Sequence, residues 1–233
     1  MKVLELFSGT HSVGKVCKKL GHEVISLDRD LGPTSKDYIS LNHLEVDILE
    51  WDYKKDYKEG DFDLITASPV CLWWSTLRLS NIGKPCRKGR WNGKIYTREM
   101  MELDIIEFGI PMVDKIFEIL DYFKPKYWWI ENPKLGRMKE YINDLIPFVD
   151  MDYCQFGLPY KKSTRFWTNL IVKSHKCTYN CGNIIIENGK KTKRHTHSVD
   201  GGKPSKGVKS TNKLTDRYRI PAKLIELFIS SIE

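Results

Sequence analysis

Short apolar runs alternate with amphipathic segments from the start of this chain, and this alternation constrains the fold more than any other feature. Residues 2–7 predict a buried strand, residues 12–20 a helix and residues 22–28 a second strand. Gly9 lies in the turn between the first strand and the helix. A helix between two strands favours their parallel pairing in one sheet. The side chains predicted to face the sheet from this helix are Val13, Val16, Cys17 and Leu20.

The same alternation continues to the end of the chain. Further strands are predicted at 43–48, 62–68, 127–130 and 148–153 and in the second half of 153–169. Helices are predicted at 97–123 (kinked or split near Gly109 and Pro111), at 135–145 and at 221–232. This order predicts an α/β fold with a doubly wound, mostly parallel sheet. The terminal helix is predicted to face inward with Leu224, Ile225, Phe228 and Ile229.

The net charge of +8 is concentrated in two segments. Residues 171–213 hold ten Lys or Arg and two acids, and residues 69–98 hold seven Lys or Arg and no acid. The rest of the chain has 21 basic and 28 acidic residues, a net charge of −7. An acidic body with two basic segments favours binding of a polyanion such as nucleic acid. The alternative is that both segments are loops made basic for solubility.

The basic segment 171–213 is rich in Gly, Lys, Asn and Ser and interrupts the strand and helix pattern. A chain of 233 residues suffices for one sizeable core and a small appendage. We therefore predict one domain from residues 1–170 together with 214–233, and a small inserted basic module at 171–213. Part of this module, near Gly189–Asn212, is predicted to be flexible.

No stretch of the sequence is long and apolar enough to span a membrane, and the first residues lead into a strand pattern rather than a secretory signal peptide. The sequence contains six cysteines. Cysteines without a signal suggest reduced thiols, so we expect a reducing cytoplasm or nucleus. We expect no membrane partner and see no sign of an obligate protein partner.

The loops that follow the strands carry most of the polar residues with chemical potential. In a doubly wound sheet, ligands bind at the carboxyl ends of the strands. A turn around Gly9 followed by a carboxylate at Asp28 suits a nucleoside cofactor, because the turn admits the ligand and the carboxylate takes a ribose diol. A dinucleotide fingerprint is absent, since this turn contains one glycine.

A cysteine and a glutamate follow two of the later strands. Cys71 comes after Pro69 on a loop where a thiolate is both exposed and stabilised, and Glu131 directly follows the strand at 127–130. This pair, without an obvious histidine, does not suit a hydrolase. It suits addition of a thiolate to an electron-poor ring while the carboxylic acid holds a ring nitrogen. The alternative is that Cys71 is a half-buried structural cysteine.

These residues belong to an ordered set of motifs that resembles the cytosine-5 DNA methyltransferases, most closely the short viral and phage-type members. The resemblance covers residues 1–170 and, more weakly, the terminal helix. The motifs are Leu6-Phe-Ser-Gly9, Asp28, Asp47, Ser68-Pro-Val-Cys71, Glu131-Asn-Pro133 and Gln155-Phe-Gly-Leu-Pro159. The resemblance implies a Rossmann-like S-adenosylmethionine-dependent methyltransferase fold, with module 171–213 recognising the target in DNA. A viral member would act inside its host cell.

The resemblance also implies roles for single residues. Cys71 would attack C6 of a flipped-out cytosine, Glu131 would hold N3 and the exocyclic amine, and the methyl group would go to C5. Lys162 stands where the family has the first arginine of a Gln-x-Arg-x-Arg stretch, and Arg165 would replace the second. The residues predicted to bind S-adenosylmethionine are Phe7, Ser8, Gly9, Thr10, His11, Ser12, Asp28, Arg29, Asp47, Ile48, Ser68 and Pro69.

Two alternatives to a DNA methyltransferase remain open from the sequence. The same chemistry could act on RNA such as tRNA, because the recognition module is short. A relative that binds nucleic acid with little or no turnover is the second alternative. It is motivated by Val70 and Leu72, which stand where the family has proline and glutamine.

The basic module also contains residues that could bind zinc. Cys177 and Cys181 are followed by His195 and His197, and a short polar module needs some staple. The sequence predicts a zinc site from these four residues, although their spacing matches no standard zinc finger.

Overall fold

A seven-stranded sheet runs through the centre of the computed structural model, which describes residues 1–30, 42–142, 144–199, 205–211 and 214–232. Its strands are β1 (Lys2–Leu6), β2 (Glu23–Asp28), β3 (His43–Glu45), β4 (Leu64–Ala67), β5 (Tyr127–Pro133), β6 (Phe148–Asp152) and β7 (Ser163–Thr168). Their spatial order is β3-β2-β1-β4-β5-β7-β6. Strand β7 is antiparallel to both neighbours, and the other six strands share one direction. The predicted mostly parallel, doubly wound sheet is therefore confirmed.

Helices cover both faces of the sheet. They are α1 (Ser12–Lys19), α2 (Tyr53–Asp56), α3 (Arg98–Asp104), α4 (Ile110–Phe123), α5 (Leu214–Tyr218) and α6 (Ala222–Ser230). In the described ranges, 3-10 turns lie at Thr76–Asn81, Arg137–Glu140 and Tyr153–Phe156. None of the helices in the described ranges combines the length and apolar character that crossing a bilayer requires.

The apolar core has two halves because successive strand residues point to opposite faces. Leu4 and its neighbours on one face pack with α4, whereas Val3 and its neighbours on the other face pack with α1 and α6. Burying one such side chain stabilises the fold by roughly 1.5–3 kcal/mol. The four residues predicted to face inward from α6 are all buried. Leu20 was predicted wrongly as a core residue: it is 47% exposed, because α1 ends at Lys19.

Strand β5 is three residues longer than the sequence predicts. Glu131, Asn132 and Pro133 continue the strand because antiparallel β7 pairs with them, Glu131 opposite Phe166 and Pro133 opposite Thr164. The expected loop at Glu131 is thus a strand end with a fixed register. This register fixes which face of the sheet each of the three side chains occupies.

The long helix predicted at 97–123 is split as expected, and the structure gives the reason. Thr97 caps α3, since its Oγ1 accepts the Met100 N–H at 3.3 Å. A π-helical turn at Ile105–Gly109 joins α3 to α4. A Cβ at Gly109 would lie 2.8 Å from Cζ2 of the buried Trp74, so the glycine allows the Cys71 loop to pack against this turn.

The helix predicted at 135–145 is wrong apart from the short 3-10 turn at Arg137–Glu140. The Gly136 N–H donates to the Pro133 carbonyl, and the Arg137 N–H donates to the Trp74 carbonyl at 2.8 Å. These bonds hold the start of the segment against the Cys71 loop.

The described part of the basic module contains four short strands, β8 (Ile184–Glu187), β9 (Lys190–His195), β10 (His197–Ser198) and β11 (Lys209–Ser210). Strands β8 and β9 form an antiparallel hairpin, and β10 pairs with β11 in parallel. The domain limits drawn at residues 170 and 213 remain a prediction. Lys213 and parts of the predicted flexible segment Gly189–Asn212 lie outside the described residues.

We expect Gly109→Ala to destabilise the protein. The added methyl group would overlap the Trp74 ring, and such overpacking typically costs about 1–3 kcal/mol, which outweighs the gain in helix propensity. Urea unfolding would show this cost as a lower midpoint. Gly182→Ala is the matched control, because a Cβ there has no neighbour within 4 Å. An unchanged Gly109→Ala midpoint would contradict this packing argument.

Candidate active site

The turn between β1 and α1 is held in a left-handed backbone conformation by a buried carboxylate beneath it. Phe7, Gly9 and His11 have φ values of 56°, 47° and 51°. Glu5, which is 3% exposed, accepts the Val13 N–H at 3.0 Å through Oε1 and the Ser26 hydroxyl at 2.8 Å through Oε2. This carboxylate therefore ties α1 and β2 to β1.

Gly14 completes the support for this turn. A Cβ at Gly14 would lie 2.6 Å from Glu5 Oε2 and 3.0 Å from Ser26 Oγ, so glycine lets the helix approach the strands closely. Sequence reasoning missed Glu5, Ser26 and Gly14. An acid inside the apolar run Val3–Leu6 was the signal that could have found this anchor, because a buried carboxylate needs fixed donors.

Two carboxylates predicted to contact the cofactor lie beyond this turn. Asp28 ends β2, where its Oδ2 accepts the Gly9 N–H at 2.8 Å and its Oδ1 accepts the Asp30 N–H at 3.2 Å. Asp47 Oδ1 accepts the Leu49 N–H at 3.0 Å, and Arg29 lies 4.0 Å from Asp47 Oδ2. Each carboxylate oxygen has further lone pairs for a ligand.

The remaining residues predicted for the cofactor surround the same edge of the sheet. The side chains of Thr10 and Ser12 are hydrogen-bonded to each other at 2.7 Å, and the Ser8 N–H donates to the Leu27 carbonyl. Ile48 is buried in the core, where it supports the Asp47 loop. The Ser68 N–H donates to the Leu6 carbonyl at 3.2 Å and so joins the two loops.

The Cys71 loop is fixed from below by β5. The Asn132 amide, fully buried, donates to the Pro69 carbonyl at 3.0 Å, and the Trp74 N–H donates to the Cys71 carbonyl at 3.2 Å. Cys71 itself is partly exposed. Its neighbours Val70 and Leu72 are 42% and 53% exposed, so the two non-standard residues lie on the outer side of the loop rather than in the core.

Glu131 lies beside this loop and is 6% exposed. Its Oε1 accepts a hydrogen bond from the Tyr153 hydroxyl at 2.9 Å and lies 3.5 Å from the Lys162 ammonium. Lys162 also donates to the Arg217 carbonyl at 3.0 Å, which ties α5 to the site. Among the described residues, both side-chain contacts of Glu131 use Oε1. The other oxygen, Oε2, therefore remains for a ligand.

The ionisation of Cys71 is coupled to these two charges. Burial raises the pKa of the Cys71 thiol, the negative charge of Glu131 raises it further, and the Lys162 ammonium lowers it. The structure thus brings together three of the four predicted catalytic residues. Burial raises the pKa of Tyr218, a residue of α5, and a negative charge on Cys71 raises it further. The sequence did not suggest Tyr218 as a neighbour of the site.

Arg165 is not part of this group. Its guanidinium makes an ion pair with Asp150, with Nε 2.9 Å from Oδ1, and stacks 3.6 Å from the Phe148 ring. Arg165 pairs with Asn132 across the sheet, one residue out of phase with Glu131, so it faces the other side. It holds β6 to β7 instead.

The basic loop after Cys71 is anchored by a second buried acid, Asp104 of α3, which is 1% exposed. Asp104 makes an ion pair with Arg78, accepts the Trp91 indole N–H at 3.0 Å and lies 3.5 Å from Arg90. The Arg90 guanidinium lies 4.3 Å from the centre of the Trp91 ring. Trp91 therefore serves as an anchor of this loop.

A separate cluster lies where the basic module meets β6. It consists of Cys154, Cys177, Cys181 and His195, whose ligand atoms all lie within 4.8 Å of one another. His197, which the sequence placed in the cluster, instead has its Nδ1 at 3.1 Å from the Thr196 hydroxyl. Cys154 takes the fourth place, which its distance of 23 residues from Cys177 concealed.

The coupling of Cys71 to its neighbours predicts its reactivity. Iodoacetamide reacts with the thiolate form of a cysteine. Because the pKa of Cys71 is raised, the rate of its alkylation should still increase as the pH rises through 9. Glu131→Gln should speed alkylation at pH 8 and Lys162→Gln should slow it, each by roughly threefold to tenfold. Peptide-resolved mass spectrometry measures this, with Cys86 as the internal reference. Equal rates in all three proteins would refute the coupling.

Comparison with known proteins adds a relative of nearly the same length. The chain is 38% identical over 230 residues to the "Probable DNA (cytosine-5)-methyltransferase" of Frog virus 3 (isolate Goorha), covering 97% of each chain. No family model matches the sequence.

Solved structures of similar fold include two methyltransferases. The S. pombe Dnmt2 methyltransferase is 16% identical with a TM-score of 0.44, covering 76% of this chain and 52% of its own. The Entamoeba histolytica methyltransferase EhMeth is 15% identical with a TM-score of 0.48, covering 75% of this chain and 56% of its own. The chain thus spans about half the length of these two structures.

The relative from Frog virus 3 decides the family, because its identity of 38% extends over nearly the whole of both chains. The chain belongs to the DNA (cytosine-5)-methyltransferase family.

Proposed function

We propose that this protein transfers a methyl group from S-adenosylmethionine to C5 of cytosine in DNA. The observation that carries the proposal is the grouping of Cys71 with Glu131 and Lys162 at the carboxyl edge of the sheet. The name of the Frog virus 3 relative supports DNA as the substrate, and its viral origin supports action inside a host cell.

The residues at the carboxyl ends of β1 and β2 fit S-adenosylmethionine. A Cβ added at Gly9 would meet one atom within 4 Å, the Phe7 carbonyl oxygen at 3.9 Å. The space beside Gly9 therefore lets a ligand approach the backbone of the turn. Asp28 would accept the ribose hydroxyls and Asp47 the adenine amine. The bound cofactor supplies an electrophilic methyl group.

Cys71 would act as the nucleophile. Its thiolate would add to C6 of cytosine, forming an S–C6 bond and leaving C5 electron-rich. Methyl transfer to C5 would break the S–CH3 bond of the cofactor and leave S-adenosylhomocysteine. Transfer of the C5 proton to water, with cleavage of the S–C6 bond, would then restore the aromatic ring and the thiolate. Lys162 would favour the thiolate, since its charge lowers the pKa of Cys71.

Glu131 would orient the base and stabilise the negative charge that develops on its ring. In its protonated form, a free Oε2 could donate to N3 while the carboxyl accepts from the exocyclic amine. Tyr153 and Lys162 hold Oε1, so rotation of the carboxyl group is restricted. Fixed polar groups of this kind stabilise developing charge without reorganising during the reaction.

The basic segments would hold the nucleic acid. A cytosine stacked in a duplex cannot reach Cys71, so the base must be extruded from the helix. Residues 69–98 carry seven positive charges next to Cys71, and Asp104 fixes part of this loop on α3. Contacts of these residues with phosphates would position the duplex, and module 171–213 would contribute to recognition.

One assay tests the reaction and its nucleophile together. Labelled S-adenosylmethionine would be offered with duplex DNA, single-stranded DNA or tRNA, and the products identified by nucleoside mass spectrometry. We expect labelled 5-methyl-deoxycytidine with DNA. Cys71→Ala should reduce the rate by at least about 1,000-fold while binding of the cofactor persists, because covalent activation of C6 is lost.

Each other outcome of this assay would overturn part of the proposal. Label found in tRNA alone would move the activity to RNA. No label in any substrate, with cofactor and DNA still bound, would favour a binding protein without turnover. Full activity in Cys71→Ala would exclude Cys71 as the nucleophile.

A second prediction concerns the cofactor site. Asp28→Ala should weaken binding of S-adenosylmethionine by roughly 10- to 100-fold, because two hydrogen bonds to a charged acceptor would be lost. Isothermal titration calorimetry measures the Kd. Asp30→Ala is the control, since the exposed Asp30 carboxylate is outside the predicted set and contacts Asp28 through its backbone. Equal affinities in both variants would place the ribose elsewhere.

A further inference from the structure

The ligand atoms of Cys154, Cys177, Cys181 and His195 lie close enough together to share one metal ion. The two sulfurs of Cys177 and Cys181 are 3.7 Å apart, and His195 Nε2 lies 3.6 Å from the first and 3.3 Å from the second. A tetrahedral zinc ion places two thiolates about 3.8 Å apart, and a thiolate and an imidazole nitrogen about 3.6 Å apart. The observed separations therefore leave room for one ion at the centre.

The chemistry of these ligands selects zinc among the common metals. Three cysteines and one histidine form one of the usual sets for structural zinc, whereas Ca²⁺ and Mg²⁺ prefer oxygen ligands. Cys154, Cys177 and His195 are 4%, 6% and 7% exposed, which suits a closed structural site rather than an open catalytic one.

Backbone groups around the cluster support ligation by thiolates. The Tyr179 N–H donates to Cys177 Sγ at 3.3 Å, which stabilises negative charge on that sulfur. The Cys177 N–H donates to Asp152 Oδ2 at 2.6 Å and fixes the position of the ligand. Partners of this kind orient the ligands of a metal site.

The cluster joins the main sheet to the basic module. Cys154 follows β6 in the main sheet, whereas the other three ligands belong to the basic module. Hydrogen bonds from Asn183 to the Leu158 carbonyl and from His197 to the Pro159 carbonyl reinforce the same junction. Small sheets such as those of the module bury little apolar surface, so they commonly need a metal or a disulfide.

The junction is also next to the active site along the chain. Cys154 adjoins Tyr153, whose hydroxyl holds Glu131 Oε1. We propose that Cys154, Cys177, Cys181 and His195 bind one structural zinc ion that fixes the basic module against the segment carrying Tyr153. This inference does not depend on methyl transfer, because metal content can be measured without any substrate.

The first test is the metal content of the full-length protein, purified without chelators or a metal-affinity step. Elemental mass spectrometry should find about one zinc ion per chain. Cobalt substituted for zinc should give the absorption bands of tetrahedral thiolate ligation. Less than about 0.2 zinc per chain without these cobalt bands, or a Cys177–Cys181 disulfide in fresh protein, would overturn the proposal.

Matched variants identify the ligands. Cys154→Ser and His195→Ala should each raise the Kd for zinc by more than about 100-fold, because loss of a ligand exceeds the effect of changing its supporting partners. His197→Ala and Cys86→Ser are the controls and should retain zinc. Zinc lost from His197→Ala and kept in Cys154→Ser would show that the assigned ligand set is wrong. Chelation of wild-type protein should lower its Tm, which tests the structural role where a variant fails to fold.

Discussion

Strand β5 is the element on which the proposed active site depends, because it is hydrogen-bonded along both edges. It pairs in parallel with β4 at Leu64–Ala67 and antiparallel with β7, which continues the pairing through Pro133. This register directs Asn132 to the Pro69 carbonyl and Glu131 to Tyr153 and Lys162. A slip of one residue would exchange the faces of Glu131 and Asn132 and remove both sets of contacts.

Three buried acids each fix a loop at the carboxyl edge of the sheet. Glu5 holds the β1–α1 turn, Asp104 holds the basic loop, and Glu131 holds Tyr153 and Lys162. A carboxylate removed from water is costly unless it is paired, so loss of its donors would leave an uncompensated charge. The three buried acids therefore hold these loops in fixed positions. The proposed addition of the Cys71 thiolate to one ring carbon requires such precise positions.

Local patterns predicted the strands, the split near Gly109 and the grouping of Cys71 with Glu131, because these features depend on residues close together in sequence or on the common edge of a parallel sheet. The extension of β5 depends on pairing with β7, more than 30 residues later. The helix predicted at 135–145 is reduced to the 3-10 turn at Arg137–Glu140, whose Arg137 N–H donates to the Trp74 carbonyl, more than 60 residues earlier in the chain. The Arg165 side chain lies on the opposite face of the sheet from Glu131, because alternation along β7, and not closeness in sequence to Lys162, determines the face it occupies.

The choice between His197 and Cys154 illustrates the same limit. Residues two apart in one strand would point to the same side, but β9 ends at His195 and His197 starts a new strand, so the two histidines need not share a site. Cys154 comes close only because β6 and the 3-10 turn at Tyr153–Phe156 run beside the module. The segment Asp152–Cys154 therefore contacts the module through Asp152 and Cys154 and the active site through Tyr153. Any displacement of the module at this junction would act directly on the residue that orients Glu131.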